Sequence, residues 1–223
     1  MTEADLAVDA MLRDRLTTAR PDYGWLSEET PDTPDRLTRR RTFIIDPIDG
    51  TRSFIEGTAT WAHSLAVAED GVITAAVVFL PLKDKLYSAA LGQGAHLNGQ
   101  PIRVSDQAGL SGATVLAAKP VTDPANWRNR DVPPLIRHHR PSLAYRLSLV
   151  AEGRFDAMLT LRPSWEWDIA AGALILSEAG ACTTDRTGAA LRFNNPRPQV
   201  NGVLAAGQSL HAALSRRLAP WPV

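Results

Sequence analysis

One stretch constrains this chain more than any other: Ile44-Ile45-Asp46-Pro47-Ile48-Asp49-Gly50-Thr51-Arg52-Ser53-Phe54. Phe43 to Ile45 is a short apolar run with branched side chains, followed at once by backbone breakers, and it predicts a buried strand. Asp46 and Asp49 leave the end of that strand together. Pro47 fixes the backbone between them, and Gly50 permits a tight turn. Two carboxylates this close repel each other unless a cation or a proton lies between them. Asp oxygens suit a hard ion such as Mg²⁺. The residues after Gly50 can open a helix, whose free N–H groups would face the same spot and favour a phosphate there. Taken alone, D-x-x-D-G-T also fits a turn with both carboxylates in water.

A second stretch narrows the choice. Trp165-Glu166-Trp167-Asp168-Ile169-Ala170-Ala171-Gly172 begins a small-residue, apolar helical segment that runs through Ile175, Leu176 and Glu178 to Gly180. Asp168 falls at the helix N-terminus and Gly180 at the place of a C-terminal glycine. D-P-I-D-G-T-x-S-F (Asp46 to Phe54) and W-D-x-A-A-(x)₆-E-x-G-A (Trp167 to Ala181) together resemble the two signatures of the inositol monophosphatase superfamily. That group comprises Mg²⁺-dependent, lithium-sensitive phosphomonoesterases.

The resemblance extends from Asp5 to the last helix. It implies an α/β fold, a layered α-β-α-β-α sandwich of the inositol monophosphatase/fructose-1,6-bisphosphatase type. An antiparallel meander sheet with helices is expected in the first half, and a mixed, mostly parallel sheet with helices in the second. The chain reads as one domain, 1–223, with halves of approximately 1–112 and 113–223. Family members carry a further helix and a basic, glycine-containing strand before the T-x-A-D segment. Here Met1 stands almost directly on that segment, so the family's N-terminal helix is expected to be missing.

At 223 residues the chain can bury a substantial core. Lys+Arg and Asp+Glu both number 24, so no net field points to a nucleic acid polymer or an anionic membrane. No signal-like start or bilayer-length apolar run stands out, and the cytoplasm is the expected compartment. Cys182 is the single cysteine, and its apolar, strand-like setting predicts a buried inert thiol.

Along the chain, Thr2 is placed to cap a helix with Leu6, Val8, Met11, Leu12 and Leu16 as its apolar side, and Asp5 lies in its first turn. Trp25-Leu26 reads as a short strand leading into Ser27-Glu28-Glu29-Thr30. Pro31 to Arg41 is polar and reads as a mobile loop. Apolar runs about Asp70-Gly71 predict a hairpin, and Asn98-Gly99 turns a continuing meander. His63 and His96 read as packing or surface residues. His138-His139 are adjacent and share no face of a strand or helix, which argues against a metal pair. Ser142 to Glu152 reads as an amphipathic helix with Leu143, Leu147, Val150 and Ala151 inward. Phe155 to Leu161 is a strand. A hairpin is expected about Thr187-Gly188, flanked by Cys182–Asp185 and Leu191–Phe193. Val203 to Ala206 is a last strand, and Ser209 is placed to cap the final helix.

The resemblance also implies roles. Glu28, Asp46, Asp49 and Asp168 would be carboxylate ligands of two or three Mg²⁺ ions, with the Ile48 carbonyl as a further donor. Ser27 replaces a usual glycine before Glu28, and Pro141 replaces another before Ser142. Thr51 and Glu28 would orient a metal-activated water, Asp5 would polarise Thr51, and the N–H groups of Gly50 and Thr51 would hold the phosphate. No covalent intermediate is implied. Arg52 and Lys119 stand where nucleotide-directed members carry basic residues, which leans towards a 3'(2'),5'-bisphosphate nucleotidase. Inositol monophosphatase and histidinol phosphatase remain the alternatives, with a non-catalytic metal- and phosphate-binding relative as the contrasting class. The expected partner is a small phosphorylated substrate, and family members are commonly homodimers.

Overall fold

The computed structural model describes residues 1–220; residues 221–223, the end of the expected domain, lie outside it. The first sheet grows strand by strand from sequence-adjacent apolar runs. β1 (Gly24–Ser27), β2 (Arg41–Asp49), β3 (Ala62–Glu69), β4 (Val72–Leu80), β5 (Lys85–Ala90), β6 (Ala95–Leu97) and β7 (Gln100–Pro101) follow one another in space as in sequence. β1 pairs parallel to β2, and the remaining neighbours are antiparallel. Asp70-Gly71 and Asn98-Gly99 take the positive φ that their tight turns demand. Burial alternates along β3, so Ala62, Ser64, Ala66 and Ala68 face inward. Their small side chains leave room for helices on that face.

The second sheet comprises β8 (Thr114–Ala117), β9 (Ile136–His138), β10 (Ala157–Thr160), β12 (Ala181–Thr184) and β14 (Val203–Gly207), in the order β12-β14-β10-β8-β9. β11 (Ser164–Trp165) pairs with β13 (Gln199–Val200) as a separate two-stranded ribbon. Alternate residues of the second sheet feed two cores. Leu116, Met158, Val203 and Ala205 join the core shared with the first sheet. Val115, Ala117, Leu159, Leu204 and Ala206 join an outer core with Trp127, Leu210 and Leu214.

Helices supply the remaining layers. α1 (Glu3–Ala19) packs against β2 on the outside of the first sheet, and α5 (Gln208–Arg217) covers the outside of the second. α2 (Thr51–Ile55) is a single turn after Gly50. Between the sheets lie α3 (Leu143–Ala151) and α4 (Glu166–Glu178). They approach closely because Gly172 has no side chain: a Cβ there would stand 2.6 Å from Leu147. The order of layers is the α-β-α-β-α sandwich the sequence implied.

Several local expectations are corrected. α3 buries Leu143, Leu147, Val150 and Ala151 as expected, but its opposite face is buried too, since all nine residues lie between the sheets. α1 buries Asp5 and Asp9, while Leu6 and Met11 are exposed; its inward face serves a polar site rather than an apolar core. Pro31–Arg41 is not a free loop. It holds a short 3₁₀ turn, Pro34–Thr38, in which Arg36 is 2% exposed and bonds Asp32, Asn194 and the Asn195 carbonyl. The second sheet is mixed, with two parallel and two antiparallel pairings, rather than mostly parallel. Leu191–Phe193 forms no strand; Phe193 instead donates its N–H to Gly71. Gly207, not Ser209, occupies the cap position of α5. Cys182 is half-buried, and burial raises its thiol pKa.

Candidate metal and phosphate site

β2 continues through Asp49, further than the apolar run suggested, but its pairing with β3 breaks register on the way. Asp46 faces Ser64 and Asp49 faces Ala62, so Pro47 and Ile48 share one partner position, that of His63. Such a bulge re-aims side chains. Here it turns Asp46 and Asp49 to the same spot. Gly50 follows at φ +97°, a left-handed conformation costly for any residue with a Cβ, and a Cβ there would meet the Thr60 carbonyl at 3.3 Å.

Asp168 arrives from the other side of the sandwich, in the first turn of α4. The Ser64 hydroxyl donates to the Trp167 carbonyl at 3.0 Å and fastens that turn to β3. One carboxylate oxygen from each of Asp46, Asp49 and Asp168 lies within 4.8 Å of the others. Asp46 and Asp49 are buried. Glu28 follows β1 directly; the residue is exposed, but its carboxyl turns inward and reaches the Asp46 carboxyl. Four acidic groups from three separate segments thus meet at one place.

The electrostatics follow from that crowding. Burial first, then Asp49, Glu28 and Asp168, hold the Asp46 carboxyl well above the usual carboxylate range. Asp168 is raised by burial and then by Asp49 and Glu28. Glu28 is raised by burial of its carboxyl and by Glu29. Asp49 is raised by burial, against the opposing pull of its hydrogen bonds. Its Oδ2 accepts from Ser142 Oγ at 2.6 Å and from the Ala144 N–H at 2.6 Å. Asp46 Oδ1 is buried and has no hydrogen-bond partner among the described residues. An orphaned buried carboxylate oxygen is costly, and the all-oxygen set around it fits a hard divalent cation.

Thr51 and Asp5 stand beside this cluster. Thr51 Oγ1 lies 3.5 Å from Asp5 Oδ1 and 3.3 Å from the Ile48 carbonyl, both long contacts. Asp5 is 1% exposed, and its other oxygen accepts from the N–H and hydroxyl of Thr2, completing a capping box. The structure therefore brings together Asp5, Glu28, Asp46, Asp49, Gly50, Thr51 and Asp168. His138 and His139 stay apart from the cluster: His138 packs edge-on to Phe155, and His139 bonds Arg146.

Four residues to which the sequence reading assigned no role at the site support it. Asp9 accepts from Ser27 Oγ and Thr30 Oγ1, which pins the turn carrying Glu28. Its spacing of four from Asp5 was the available signal, since i and i+4 share a helix face. Ser142 both bonds Asp49 and caps α3 by accepting from the Tyr145 N–H at 2.9 Å. His63, read as packing, uses Nδ1 to bond the Pro47 carbonyl across the bulge while stacking on Phe79. Arg146 lies buried nearby in α3.

Comparison with known proteins gives the family. Residues 1–219 match the model of the inositol monophosphatase family. An inositol-1-monophosphatase of Rhizobium meliloti is 33% identical over 237 residues, covering all of this chain and 84% of the relative. A histidinol-phosphatase of Chlorobaculum parvum is 35% identical over 84% of this chain and 73% of its own length. The crystal structure of the extragenic suppressor protein suhB from Bartonella henselae superposes with a TM-score of 0.80 at 30% identity, over 96% of this chain and 87% of that one. The chain belongs to the inositol monophosphatase family and is a metal-dependent phosphomonoesterase.

Proposed function

We propose that this phosphatase removes the 3'(2')-phosphate of a nucleoside 3'(2'),5'-bisphosphate, such as adenosine 3',5'-bisphosphate to AMP, with two or three Mg²⁺ ions. The observation that carries the reaction class is the convergence of Asp46, Asp49 and Asp168 within 4.8 Å, with an orphaned oxygen among them. Glu28, Asp46, Asp49, Asp168 and the Ile48 carbonyl would hold the cations. Bound Mg²⁺ supplies charge neutralisation and a lowered water pKa.

The remaining work falls to the chain. The Glu28 carboxylate accepts a proton from the attacking water, and the Thr51 hydroxyl orients that water while Asp5 orients Thr51. The N–H groups of Gly50 and Thr51, at the opening of α2, hold the phosphate. Asp49 and Asp168 face the same substrate. The water oxygen displaces the ester oxygen at phosphorus, and the leaving oxygen departs as an alcohol with one proton. Cytoplasmic residence and a homodimer belong to the same reading.

The substrate assignment is supported by Arg52 and Lys119, both exposed and without an ion-pair partner among the described residues. Trp165 supports it too: its indole stacks on Trp167 at 4.8 Å and is 41% exposed, which offers a flat face to a base. A second reading, inositol monophosphate or histidinol phosphate, is favoured by the names of the relatives. The test is phosphate release with Mg²⁺ from adenosine 3',5'-bisphosphate, inositol 1-phosphate and histidinol phosphate, with Asp49→Asn as control. A clear preference for the bisphosphate, lost in the variant, is expected. Preference for either other substrate overturns the assignment, and Mg²⁺ binding without turnover would mark a non-catalytic relative.

A further inference from the structure

Two guanidiniums stand beside the acidic cluster without a carboxylate partner among the described residues. Arg146, 8% exposed in α3, donates through Nε to the Arg140 carbonyl and through Nη2 to His139 Nε2 at 2.9 Å. Its Nη1 has no hydrogen-bond partner among the described residues. Arg162, exposed just beyond the end of β10, makes no side-chain hydrogen bond or ion pair among them at all. No arginine nitrogen comes within 4.0 Å of Asp46, Asp49 or Asp168. Yet the two arginines share one electrostatic neighbourhood. Arg146 feels Asp49, Arg162 and Asp168 once burial is counted, and Arg162 acts on Asp168 in turn.

The topology explains the meeting. β8, β9 and β10 are mutually parallel, so their carboxyl ends share one edge of the sheet. From that edge β9 leads through Ser142 into α3 and Arg146, and β10 leads through Arg162 to Asp168. Ligands of open α/β sheets sit outside such strand ends. The carboxylates converge on one another rather than on the guanidiniums, so two like charges, one of them buried, are left within electrostatic reach of each other at the same strand ends. The complementary species is an anion, and the planar arginine fork fits phosphate best.

We propose that Arg146 and Arg162 form a subsite for a second phosphate carried on the leaving group, with Arg162 closing on it from the rim and Arg146 supplying charge from beneath. This deepens the bisphosphate reading and rests on it: Arg52 and Lys119 would meet other parts of the nucleotide, while the arginine pair reads the second phosphate.

The experiment measures kcat/KM for two substrate pairs: adenosine 3',5'-bisphosphate against 3'-AMP, and inositol 1,4-bisphosphate against inositol 1-phosphate. Wild type, Arg162→Gln, Arg162→Lys and Arg52→Gln are compared, with circular dichroism as the folding control. The wild type should favour the adenosine bisphosphate over 3'-AMP by about tenfold or more, the size of one charge-assisted hydrogen bond. Arg162→Gln should erase that ratio through KM, Arg162→Lys should restore part of it, and Arg52→Gln should keep it. If the ratio survives Arg162→Gln, or falls equally with Arg52→Gln, the subsite is wrong and the nucleotidase reading stands. If the wild type shows a ratio only with the inositol pair, and Arg162→Gln erases it, the nucleotidase reading fails and the subsite stands. No ratio in either pair overturns both.

Discussion

Asn in place of Asp46 should make the metal-free protein more stable while abolishing turnover. Asp46 is 1% exposed, its Oδ1 has no partner, and oxygens of Asp49 and Asp168 lie within 4.8 Å. At that separation and an effective dielectric of about 20, one like-charge pair costs about 3.5 kcal/mol. Proton uptake and side-chain relaxation reduce what is realised to about 1–3 kcal/mol, or roughly 2–12 °C in Tm for a chain of this length. The gain depends on pH in a fixed direction. Asp46 and Asp168 have raised folded-state pKa values, so between the ordinary carboxylate range and those values the folded protein holds more protons than the unfolded one. Their contribution to stability is therefore greatest at the acidic end and declines as pH rises through that window. The advantage of Asp46→Asn should accordingly be larger near about pH 8 than near about pH 5. Thermal melts followed by circular dichroism, in EDTA and then in excess Mg²⁺, give the answer. Mg²⁺ should raise the wild-type Tm and leave the variant nearly unmoved. A metal-free variant that melts below wild type at the alkaline pH would refute the reasoning, as would an equal response of the two proteins to Mg²⁺.

Other substitutions probe the supports of the site. Ser142→Ala removes both the bond to Asp49 and the cap of α3; urea melts should show a loss of about 1–2 kcal/mol, and half-saturation by Mg²⁺ should shift upward. Gly50→Ala puts a Cβ at φ +97° and 3.3 Å from the Thr60 carbonyl; it should cost about 1–2 kcal/mol in the same melts and reduce kcat more than that loss explains. Gly172→Ala drives a methyl to 2.6 Å from Leu147, with an expected cost of about 1–3 kcal/mol, and Leu147→Ala in the same chain should recover part of it when the double variant is melted. Asp9→Asn frees the turn that carries Glu28; kcat should fall while KM holds, measured by steady-state phosphate release.

The acidic turn was legible because its constraints are local. Asp46, Pro47, Asp49 and Gly50 are neighbours in sequence, so their groups lie close together before the bulge against β3 gives them a common aim. Asp168 required the second signature, since only tertiary structure carries it to Asp46. α3 was misjudged because periodicity reports one buried face, whereas a helix between two sheets is buried all round. The 3₁₀ turn about Arg36 escaped because its buried guanidinium is satisfied by Asn194 and Asn195, far along the chain. His63 was invisible for a related reason. Its partner is a backbone carbonyl freed by a bulge, and a bulge leaves no mark on side-chain pattern.

The contacts that close the site have a kinetic consequence. Ser142 reaches Asp49 across 93 residues of chain, and Ser64 reaches Trp167 across 103. Closure over such distances returns no energy until both ends are in place. The first sheet, in which β2 to β7 are joined as consecutive antiparallel neighbours, can form while the chain is still being synthesised, with its acidic turn open and solvated. Asp168 joins the other carboxylates, and burial closes over them, only when α3 and α4 slot between the sheets. Their mutual repulsion is thus postponed to the final docking, the step at which a cation becomes able to speed the protein's maturation.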